Sequence, residues 1–257
     1  MRYTLGADIG GTFTDIVLLR ADGRLFSKKV LSTPDDYSRG IEEGVAMLLA
    51  EVGVSAREIA EFAHGTTVAT NAIIERKGVK VALITTAGFR DVLEIGRFRS
   101  PRLYDLNFRK PEPLVERRLR FGVRERIMSD GSVLLPLDTA DMERVAARLE
   151  HAKVDAVAIC FINSYVNPDN EIAAVEFLAK RLPGLSVSAS TQLLPQINEY
   201  ERTSTTVVNA YIRPVVEHYV KSLDERLRKL KIGAPLMIMQ SSGGLLPSAL
   251  VAKNPVY

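Results

Sequence analysis

The most constraining feature of this sequence is its opening segment, in which two short apolar runs are joined by a double glycine. The first run covers residues 3–9, and Gly10-Gly11-Thr12 separates it from a second run at residues 14–20. A third run, residues 25–31, follows the turn dipeptide Asp22-Gly23. Short apolar runs bounded by glycine turns are typical of antiparallel strands. The segment therefore predicts a three-stranded meander.

The first turn carries residue types suited to binding phosphate. Adjacent glycines lack Cβ atoms and permit positive φ angles, so that backbone N–H groups can approach phosphate oxygens closely. Threonine hydroxyls on both sides of the turn add further donors. We predict that a nucleotide phosphate binds this segment, here named the phosphate turn, which consists of Gly10, Gly11, Thr12, Phe13 and Thr14. An ordinary glycine hairpin is the alternative.

Two acidic residues flank the phosphate turn. Asp8 cannot usefully face a phosphate directly, but its carboxylate can hold a hydrated Mg²⁺ that bridges to the phosphates. We predict that Asp8 is catalytic and binds Mg²⁺ through water. Asp15 is predicted to lie near the same metal, where it orients either the metal-bound water or the turn itself.

The rest of the chain alternates between predicted helices and strands, which indicates a mixed sheet covered by helices. Helices are predicted over about residues 35–53, 67–77, 138–152, 168–182 and 201–231. Strands are predicted over about residues 59–64, 79–85, 154–162, 185–190 and 235–240. Pro214 is expected to kink or divide the last helix. Residues 96–135 combine prolines with dense charge and predict an irregular insertion or linker.

Composition narrows the class of protein. The 257 residues are 46% hydrophobic, which is enough to bury a large core. No run approaches the roughly 20 uninterrupted apolar residues of a membrane helix, and no signal segment precedes the first strand. A single cysteine excludes a disulfide framework within the chain. We therefore predict a cytoplasmic protein that does not associate with membranes.

Positive charge is concentrated between residues 97 and 126, which contain nine arginines although the formal net charge of the chain is only +3. Such a cluster can meet nucleic acid, phosphate or an acidic partner subunit. No nucleic-acid motif accompanies the cluster, and the acidic residues between the arginines fit a solvated or interfacial surface better. We therefore expect no nucleic-acid binding.

A second polar segment begins at His64, at the end of one predicted strand and the beginning of a helix. The N–H groups, hydroxyls and imidazole of such a segment can converge on an anion or a carbonyl. We predict that His64 and Thr66 are catalytic and that Gly65, Thr67 and Asn71 line a substrate cleft. The alternative is structural, with Thr66 or Thr67 capping the helix while His64 bonds the backbone.

A third polar segment contains Arg90 and Asp91, which follow a predicted strand and Gly88. A loop in this position is compatible with phosphate or substrate binding. We predict that both residues contribute to the substrate cleft, and a structural ion pair is the alternative.

Residues 8–15 resemble the first phosphate hairpin of the superfamily that contains actin, heat-shock ATPases and sugar kinases. Four later segments narrow the resemblance to the hydantoinase A/5-oxoprolinase family, and they occur in the family's order at residues 64–72, 85–91, 103–106 and 200–206. The segment Gln240–Gly244 is also similar, but the family commonly has asparagine where this chain has Ser242. A role for that asparagine is therefore not transferred.

The resemblance implies an α/β fold, namely an actin-like ATPase (ribonuclease H-like) domain with a mixed sheet and an additional α/β region. It divides the chain into a first ATPase subdomain core at 1–95, the insertion or linker at 96–135, a further α/β part at 136–200 and the start of the hydantoinase A domain at 201–257. A second glycine-rich phosphate segment is expected after Gly244. Without it, the chain alone is expected to bind nucleotide weakly and to lack efficient turnover.

The resemblance also implies ATP and Mg²⁺ as cofactors and ATP-dependent hydrolysis of a cyclic amide, such as a hydantoin or 5-oxoproline. An ATP-binding subunit of a ketone carboxylase is the alternative within the family. A nucleotide-sensing or assembly subunit without chemistry, and a sugar or metabolite kinase, are alternatives of other classes. The expected partners are a cyclic amide or ketone substrate, a hydantoinase B-type subunit and further copies in an oligomer.

Overall fold

The computed structural model describes residues 2–33, 35–97, 104–105 and 107–256, which form two compact units. The first unit consists of Met1–Lys77 and Val215–Tyr257, and the second consists of Gly78–Pro214. Two arginines of the basic segment, Arg99 and Arg102, lie outside the described residues, as do Leu103 and Leu106 of one family-like segment.

A six-stranded mixed sheet forms the first unit, with the strand order β12-β11-β4-β1-β2-β3. The strands are β1 (Tyr3–Ile9), β2 (Phe13–Arg20), β3 (Leu25–Leu31), β4 (Ile59–Gly65), β11 (Leu236–Met239) and β12 (Leu245–Pro247). The first three strands are an antiparallel meander, whereas β4 runs parallel to β1 and β11 runs parallel to β4. The helices of this unit are α1 (Tyr37–Val52), α2 (Val68–Ile74), the second half of α7 (Glu199–Lys229) and α8 (Ser248–Lys253).

One face of this sheet packs into the core of the first unit. Side chains alternate along a strand, so Leu5, Ala7 and Ile9 of β1 point to the buried face. They join α1 and the second half of α7 in one hydrophobic cluster, to which α1 contributes Ile41 and Val45. The opposite face, which carries Asp8 and its neighbours on β2, remains more exposed.

A four-stranded parallel sheet forms the centre of the second unit, with the order β10-β9-β5-β6. Its strands are β5 (Val81–Thr86), β6 (Arg120–Val123), β9 (Ala156–Cys160) and β10 (Ser186–Ala189), and β7 (Arg126–Ile127) and β8 (Val133–Leu135) form a separate hairpin. Its helices are α3 (Val92–Ile95), α4 (Thr139–Ala152), α5 (Asp169–Arg181), α6 (Ser190–Leu193) and the first half of α7. Every residue of β5 and β9 is buried, as is typical of a parallel sheet covered on both faces.

The predicted meander and most predicted helices are found within a few residues of their expected ends. Helix α2 is shorter than expected and ends at Ile74 rather than near residue 77. Helix α7 continues through Pro214 without the expected division. Apolar side chains on both sides of Pro214 are buried in the two units. We attribute the continuous helix to this burial, whose stabilising free energy exceeds the cost of one lost hydrogen bond.

Two features of the architecture differ from the prediction. The described part of residues 96–135, expected to be irregular, contains β6 and the β7–β8 hairpin. These strands are too short for a recognisable alternation. The boundaries of the two compact units also differ from those of the four predicted segments. Strand β5 is predicted within the first segment, but it pairs with β6 and β9 in the second sheet. Helix α7 is predicted within the last segment, but only its end belongs to the first unit.

The second unit begins with a glycine that packs against an aromatic ring. A Cβ atom on Gly78 would lie 2.2 Å from Cε1 of Tyr211, and the backbone N–H of Val79 donates to the carbonyl of Tyr211 at 3.0 Å. No side chain fits at position 78 unless the ring or the backbone moves.

We predict that Gly78→Ala lowers the free energy of unfolding by about 2–4 kcal/mol, because the added methyl group overlaps the Tyr211 ring. Denaturant unfolding followed by circular dichroism measures the loss. Gly233→Ala is the matched control, since a Cβ there would meet no atom within 4 Å. Equal stability of the two variants would contradict this packing.

Candidate functional site

Three parallel strands of the first unit end at one edge of its sheet. The register pairs Asp8 of β1 with Gly65 of β4, and His64 of β4 with Ile238 of β11. The segments that follow these strands are the phosphate turn, residues 65–67 and residues 240–244, and they therefore meet at this edge, here named the site edge. Ligands of open α/β sheets characteristically bind beyond the carboxyl ends of the strands.

The phosphate turn is closed by its own backbone and braced from β3. The N–H of Gly10 donates to the carbonyl of Phe13 at 2.9 Å, and the N–H of Ser32 donates to the carbonyl of Thr12 at 2.9 Å. The Ser32 hydroxyl donates to the carbonyl of Gly10 at 2.8 Å and lies 3.0 Å from Oγ1 of Thr14. Because Thr14 is only 1% exposed, its hydroxyl supports the turn from within, whereas Thr12 is exposed.

The two glycines of the turn matter for their missing Cβ atoms rather than for their φ angles. Neither glycine is among the residues with positive φ. A Cβ on Gly10 would lie 3.0 Å from the carbonyl oxygen of Phe13, so this position has little room. A Cβ on Gly11 would meet no atom within 4 Å. Packing among the described residues therefore does not require Gly11, and its bare backbone is accessible from solvent, as phosphate binding needs.

Asp8 is an exposed carboxylate at the end of β1. It forms no hydrogen bond or ion pair with any residue that the structure describes. A Cβ on Gly65 would lie 2.9 Å from Oδ1 of Asp8, so the carboxylate rests against the backbone of β4. Glycine at position 65 thus leaves the room that the Asp8 side chain occupies.

Asp15 lies directly opposite Asp8 in the β1–β2 pair but has a partner of its own. The ammonium group of Lys29 on β3 contacts the Asp15 carboxylate at 2.7 Å and lies 5.3 Å from the centre of the Phe13 ring. Of the two facing carboxylates, Asp8 is therefore the one without a compensating cation among the described residues. The Lys29 contact favours the orienting role for Asp15 over direct metal binding.

The residues at the site edge fit a metal that keeps most of its water. Within the described ranges, no three His, Cys, Asp or Glu side chains converge as a metal cage would require. Mg²⁺ commonly uses one or two carboxylates together with water and substrate phosphates. A single exposed carboxylate beside a phosphate turn suits that form of binding.

His64 lies in the core of the first unit rather than at the exposed side of the site edge. Its Nδ1 is 3.0 Å from the carbonyl oxygen of Ala7, and its Nε2 is 2.6 Å from the hydroxyl of Tyr219. A carbonyl only accepts, so Nδ1 carries the proton and Nε2 accepts from the tyrosine O–H. Burial lowers the pKa of His64 to about 4 and raises that of Tyr219, so both groups are neutral near pH 7.

The remaining predicted residues of this segment form local contacts. Oγ1 of Thr66 accepts from the N–H of Val68 at 3.2 Å, and Oγ1 of Thr67 accepts from Nδ2 of Asn71 at 3.2 Å. These contacts resemble the structural alternative, since His64 bonds the backbone and Thr66 accepts from the first N–H of α2, although the N-cap residue Thr67 makes no side-chain cap hydrogen bond. Catalytic roles for His64 and Thr66, and a cleft role for Gly65, Thr67 and Asn71, stay predictions.

Arg90 and Asp91 belong to the second unit. Asp91 accepts two hydrogen bonds of 2.9 Å from Arg117, and Arg90 lies 3.9 Å from the same carboxylate. An ion pair is thus present, and the predicted contribution of these two residues to a substrate cleft stays a prediction.

Three residues that support the site edge were not predicted from the sequence. Lys29 and Ser32 contact Asp15 and the phosphate turn from β3 and the residue after it, and Tyr219 reaches His64 from α7. The meander prediction contained the signal for Lys29, because counting back from the turns sets it opposite Asp15. Tyr219 is far away in sequence, and no local pattern indicates its partner.

Comparison with known proteins decides the family. The family model for the hydantoinase/oxoprolinase N-terminal region matches residues 4–182, and the hydantoinase/oxoprolinase model matches residues 202–257. The chain belongs to the hydantoinase/oxoprolinase family. The family resemblance and the α/β, actin-like fold class predicted from it are therefore confirmed.

Individual members of the hydantoinase/oxoprolinase family are similar over almost the whole chain. The sequence is 40% identical to caprolactamase subunit alpha of Pseudomonas jessenii, over 99% of this chain and 38% of the relative. It is 33% identical to the acetophenone carboxylase gamma subunit of Aromatoleum aromaticum, over 98% and 36%. The crystal structure of ATP-dependent caprolactamase from P. jessenii matches with a TM-score of 0.88 and 38% identity, over 99% of this chain and 39% of that chain.

The chain thus spans less than two fifths of the length of these relatives.

None of the helices in the described ranges combines the length and apolar character that crossing a membrane would require.

The buried His64 predicts a pH dependence of stability. In the unfolded chain His64 binds a proton below its ordinary pKa of 6.5, whereas the folded chain resists protonation down to about pH 4. Stability is therefore lost as the pH falls from 6.5 towards 4. Between pH 7.5 and pH 5 this residue alone should cost roughly 2 kcal/mol.

Urea unfolding of the parent chain and of His64→Gln at both pH values measures this loss. We expect the stability difference between them to shrink by that amount at pH 5. His218→Gln is the matched control, because it removes a histidine whose side chain is exposed. Parallel pH profiles for the parent chain and His64→Gln would contradict the burial of a neutral imidazole.

Proposed function

We propose that this chain supplies the MgATP-binding hairpin of an enzyme that uses ATP to open a cyclic amide. The observation that carries the proposal is Asp8, an exposed carboxylate without a described partner that lies beside the phosphate turn. Similarity to an ATP-dependent caprolactamase supports the substrate class, because a caprolactam is a cyclic amide.

The phosphate turn binds the terminal phosphates of ATP in this proposal. The exposed backbone around Gly11 donates N–H groups to phosphate oxygens, and the Thr12 hydroxyl adds a further donor. Ser32 keeps the turn in one conformation by bonding Gly10 and Thr12. A turn that is already closed loses little conformational freedom when the ligand arrives.

Asp8 holds hydrated Mg²⁺ against these phosphates. Mg²⁺, when bound, would neutralise charge on the phosphates and so assist their transfer. Gly65 leaves room for the Asp8 carboxylate, and Lys29 keeps Asp15 from competing as a second ligand. His64 acts as a positioning residue, since its bond to the carbonyl of Ala7 fixes the residue before Asp8.

Phosphoryl transfer makes the amide reactive. The amide oxygen forms a bond to the γ-phosphorus of ATP while the bond between that phosphorus and the ADP oxygen breaks. Water then adds to the activated carbon, and the carbon–nitrogen bond breaks, with the nitrogen leaving as the amine, to give a ring-opened acyl phosphate. A second water hydrolyses this acyl phosphate to the amino acid and inorganic phosphate. ATP cleavage thus drives a ring opening that is otherwise unfavourable.

The substrate cleft and the second half of the nucleotide site require more than this chain in our proposal. Thr66 is proposed to act at the substrate, with Thr67 and Asn71 as cleft residues. The relatives named as alpha and gamma subunits support assembly with a partner, which we propose to be a hydantoinase B-type subunit in an oligomer.

A ketone carboxylase is the second candidate function, and similarity to the acetophenone carboxylase gamma subunit supports it. Both reactions would use the same hairpin and differ in the activated oxygen, which belongs to an amide in one case and to an enolate or bicarbonate in the other. ADP release by the complete enzyme with its partner subunit, measured with each class of substrate, distinguishes the two reactions.

We expect the complete enzyme to release ADP with a lactam, hydantoin or 5-oxoproline, and to form the ring-opened amino acid in equal amount. Coupled ADP measurement and mass spectrometry of the product test this. ADP release only with a ketone and bicarbonate would replace the hydrolase by the carboxylase. A stable phosphorylated product would indicate a kinase instead.

We predict that Asp8→Asn weakens MgATP binding by this chain about tenfold or more, because the metal loses its charged ligand. Gly65→Ala should weaken binding as well, since its methyl group displaces the Asp8 carboxylate. Isothermal titration calorimetry with MgATP, and with ATP in the presence of a chelator, measures both effects.

Asp22→Asn is the matched control, because Asp22 occupies the other turn of the meander and pairs with Arg20. It should bind MgATP as the parent chain does. Unchanged binding by Asp8→Asn, with both proteins folded by circular dichroism, would contradict the nucleotide site. Altered subunit assembly by Asp8→Asn, with an unchanged chemical step in the complete enzyme, would favour the nucleotide-sensing alternative.

A further inference from the structure

The second unit contains a cavity whose lining consists of arginine side chains. Its volume is about 340 Å³, at the lower end of the range for small-molecule sites. The arginines come from the segment after β5, the segment before β6, β6 itself and α4, and they are Arg90, Arg117, Arg118, Arg120 and Arg148. We name this feature the arginine cavity.

Carboxylates beside the lining hold several of these guanidinium groups in place. Asp91 binds Arg117 with two hydrogen bonds of 2.9 Å, Glu94 contacts Arg120 at 3.0 Å, and Glu116 pairs with Arg118. No carboxylate lines the cavity among the described residues. The five arginines of the lining thus exceed these three carboxylates by two positive charges.

Arg120 provides an independent indication of a ligand. It is 3% exposed, and its Nε and Nη2 both donate to the carbonyl oxygen of Val115, at 2.9 and 2.7 Å. Its Nη1 is buried and finds no acceptor among the described residues. A buried charged donor without an acceptor is costly, and such groups in folded proteins call for an explanation. An anion in the adjoining cavity would supply the acceptor.

Arg148 is the arginine that is most available to a ligand. It lies over the ring of Phe121, 4.6 Å from its centre, and has no ion-pair partner among the described residues. Stacking on an aromatic ring orients the planar guanidinium and leaves its N–H groups free to bind.

We propose that the arginine cavity is a binding site for a phosphate dianion, either free phosphate or the phosphate group of a small ester. Guanidinium groups recognise phosphate through paired N–H donors, and several can share its oxygens. The charge of a dianion matches the excess of two arginines. This site shares no residue with the phosphate turn and lies in the other compact unit, so it is a second anion site.

A small ligand fits these observations better than a nucleic acid or an acidic protein. A nucleic acid is usually bound by free basic side chains spread along a surface. Here four of the five arginines are already paired with carboxylates, and the arginines meet in one cavity of limited volume.

Calorimetric titration of the chain with inorganic phosphate tests the proposal, with sodium chloride at equal ionic strength as the blank. We expect one saturable site that Arg148→Gln and Arg118→Gln each weaken about five- to tenfold. Arg148→Lys should be intermediate, since it keeps the charge but loses the planar pair of donors. A phosphate monoester in place of free phosphate distinguishes the two sources of the group.

Arg144→Gln is the matched control, because Arg144 lies on the same helix one turn earlier and pairs with Asp141 outside the cavity. This variant should bind phosphate as the parent chain does. Equal affinity of Arg148→Gln and the parent chain would overturn the assignment, as would the absence of saturable phosphate binding. Tighter binding of a single-stranded oligonucleotide than of phosphate, weakened by Arg148→Gln, would also overturn it.

Discussion

The parallel pairing of β1 with β4 and of β4 with β11 is the constraint on which the candidate site depends. It sets Asp8 beside Gly65 and His64 beside Ile238, so three separate segments of the chain reach one edge. A shift of β1 by one residue would turn every side chain to the opposite face. Asp8 would enter the core, and Ala7 and Ile9 would leave it. The apolar pattern that builds the core therefore also determines which residues face the site edge.

Much of the site edge was predictable because its determinants are local. The meander follows from short apolar runs and glycine turns, and the roles that we propose for Asp8 and Gly11 follow from their places in one such turn. The burial of His64 was also encoded, since it lies two residues after Phe62 on a strand and therefore shares its face. Both side chains are fully buried. A polar residue at a buried position interrupts the apolar alternation by which such a face is recognised in a sequence.

The remaining features could not be predicted because they depend on contacts between distant residues. The apolar run of β5 indicates a buried strand, but no local signal selects the second sheet over the first. Helix α7 conceals the boundary between the units, since its helical pattern continues across Pro214. The arginine cavity depends on β6, whose first residue is a buried arginine and which has only four residues. Periodicity carries no information over so short a segment.

The charges on the β1–β2 pair show how the fold retains an unfavourable arrangement at the site edge. Asp8 and Asp15 are direct cross-strand neighbours, and like charges in such pairs destabilise a sheet. Lys29 offsets Asp15, which leaves Asp8 exposed and without a described counter-charge. An asparagine, which has nearly the same shape, would remove the repulsion if it stood in place of Asp8. Local conflicts of this kind are expected at functional positions. A cation bound at Asp8 would relieve the conflict, and the same reasoning applies to the buried Nη1 of Arg120 and an anion in the arginine cavity.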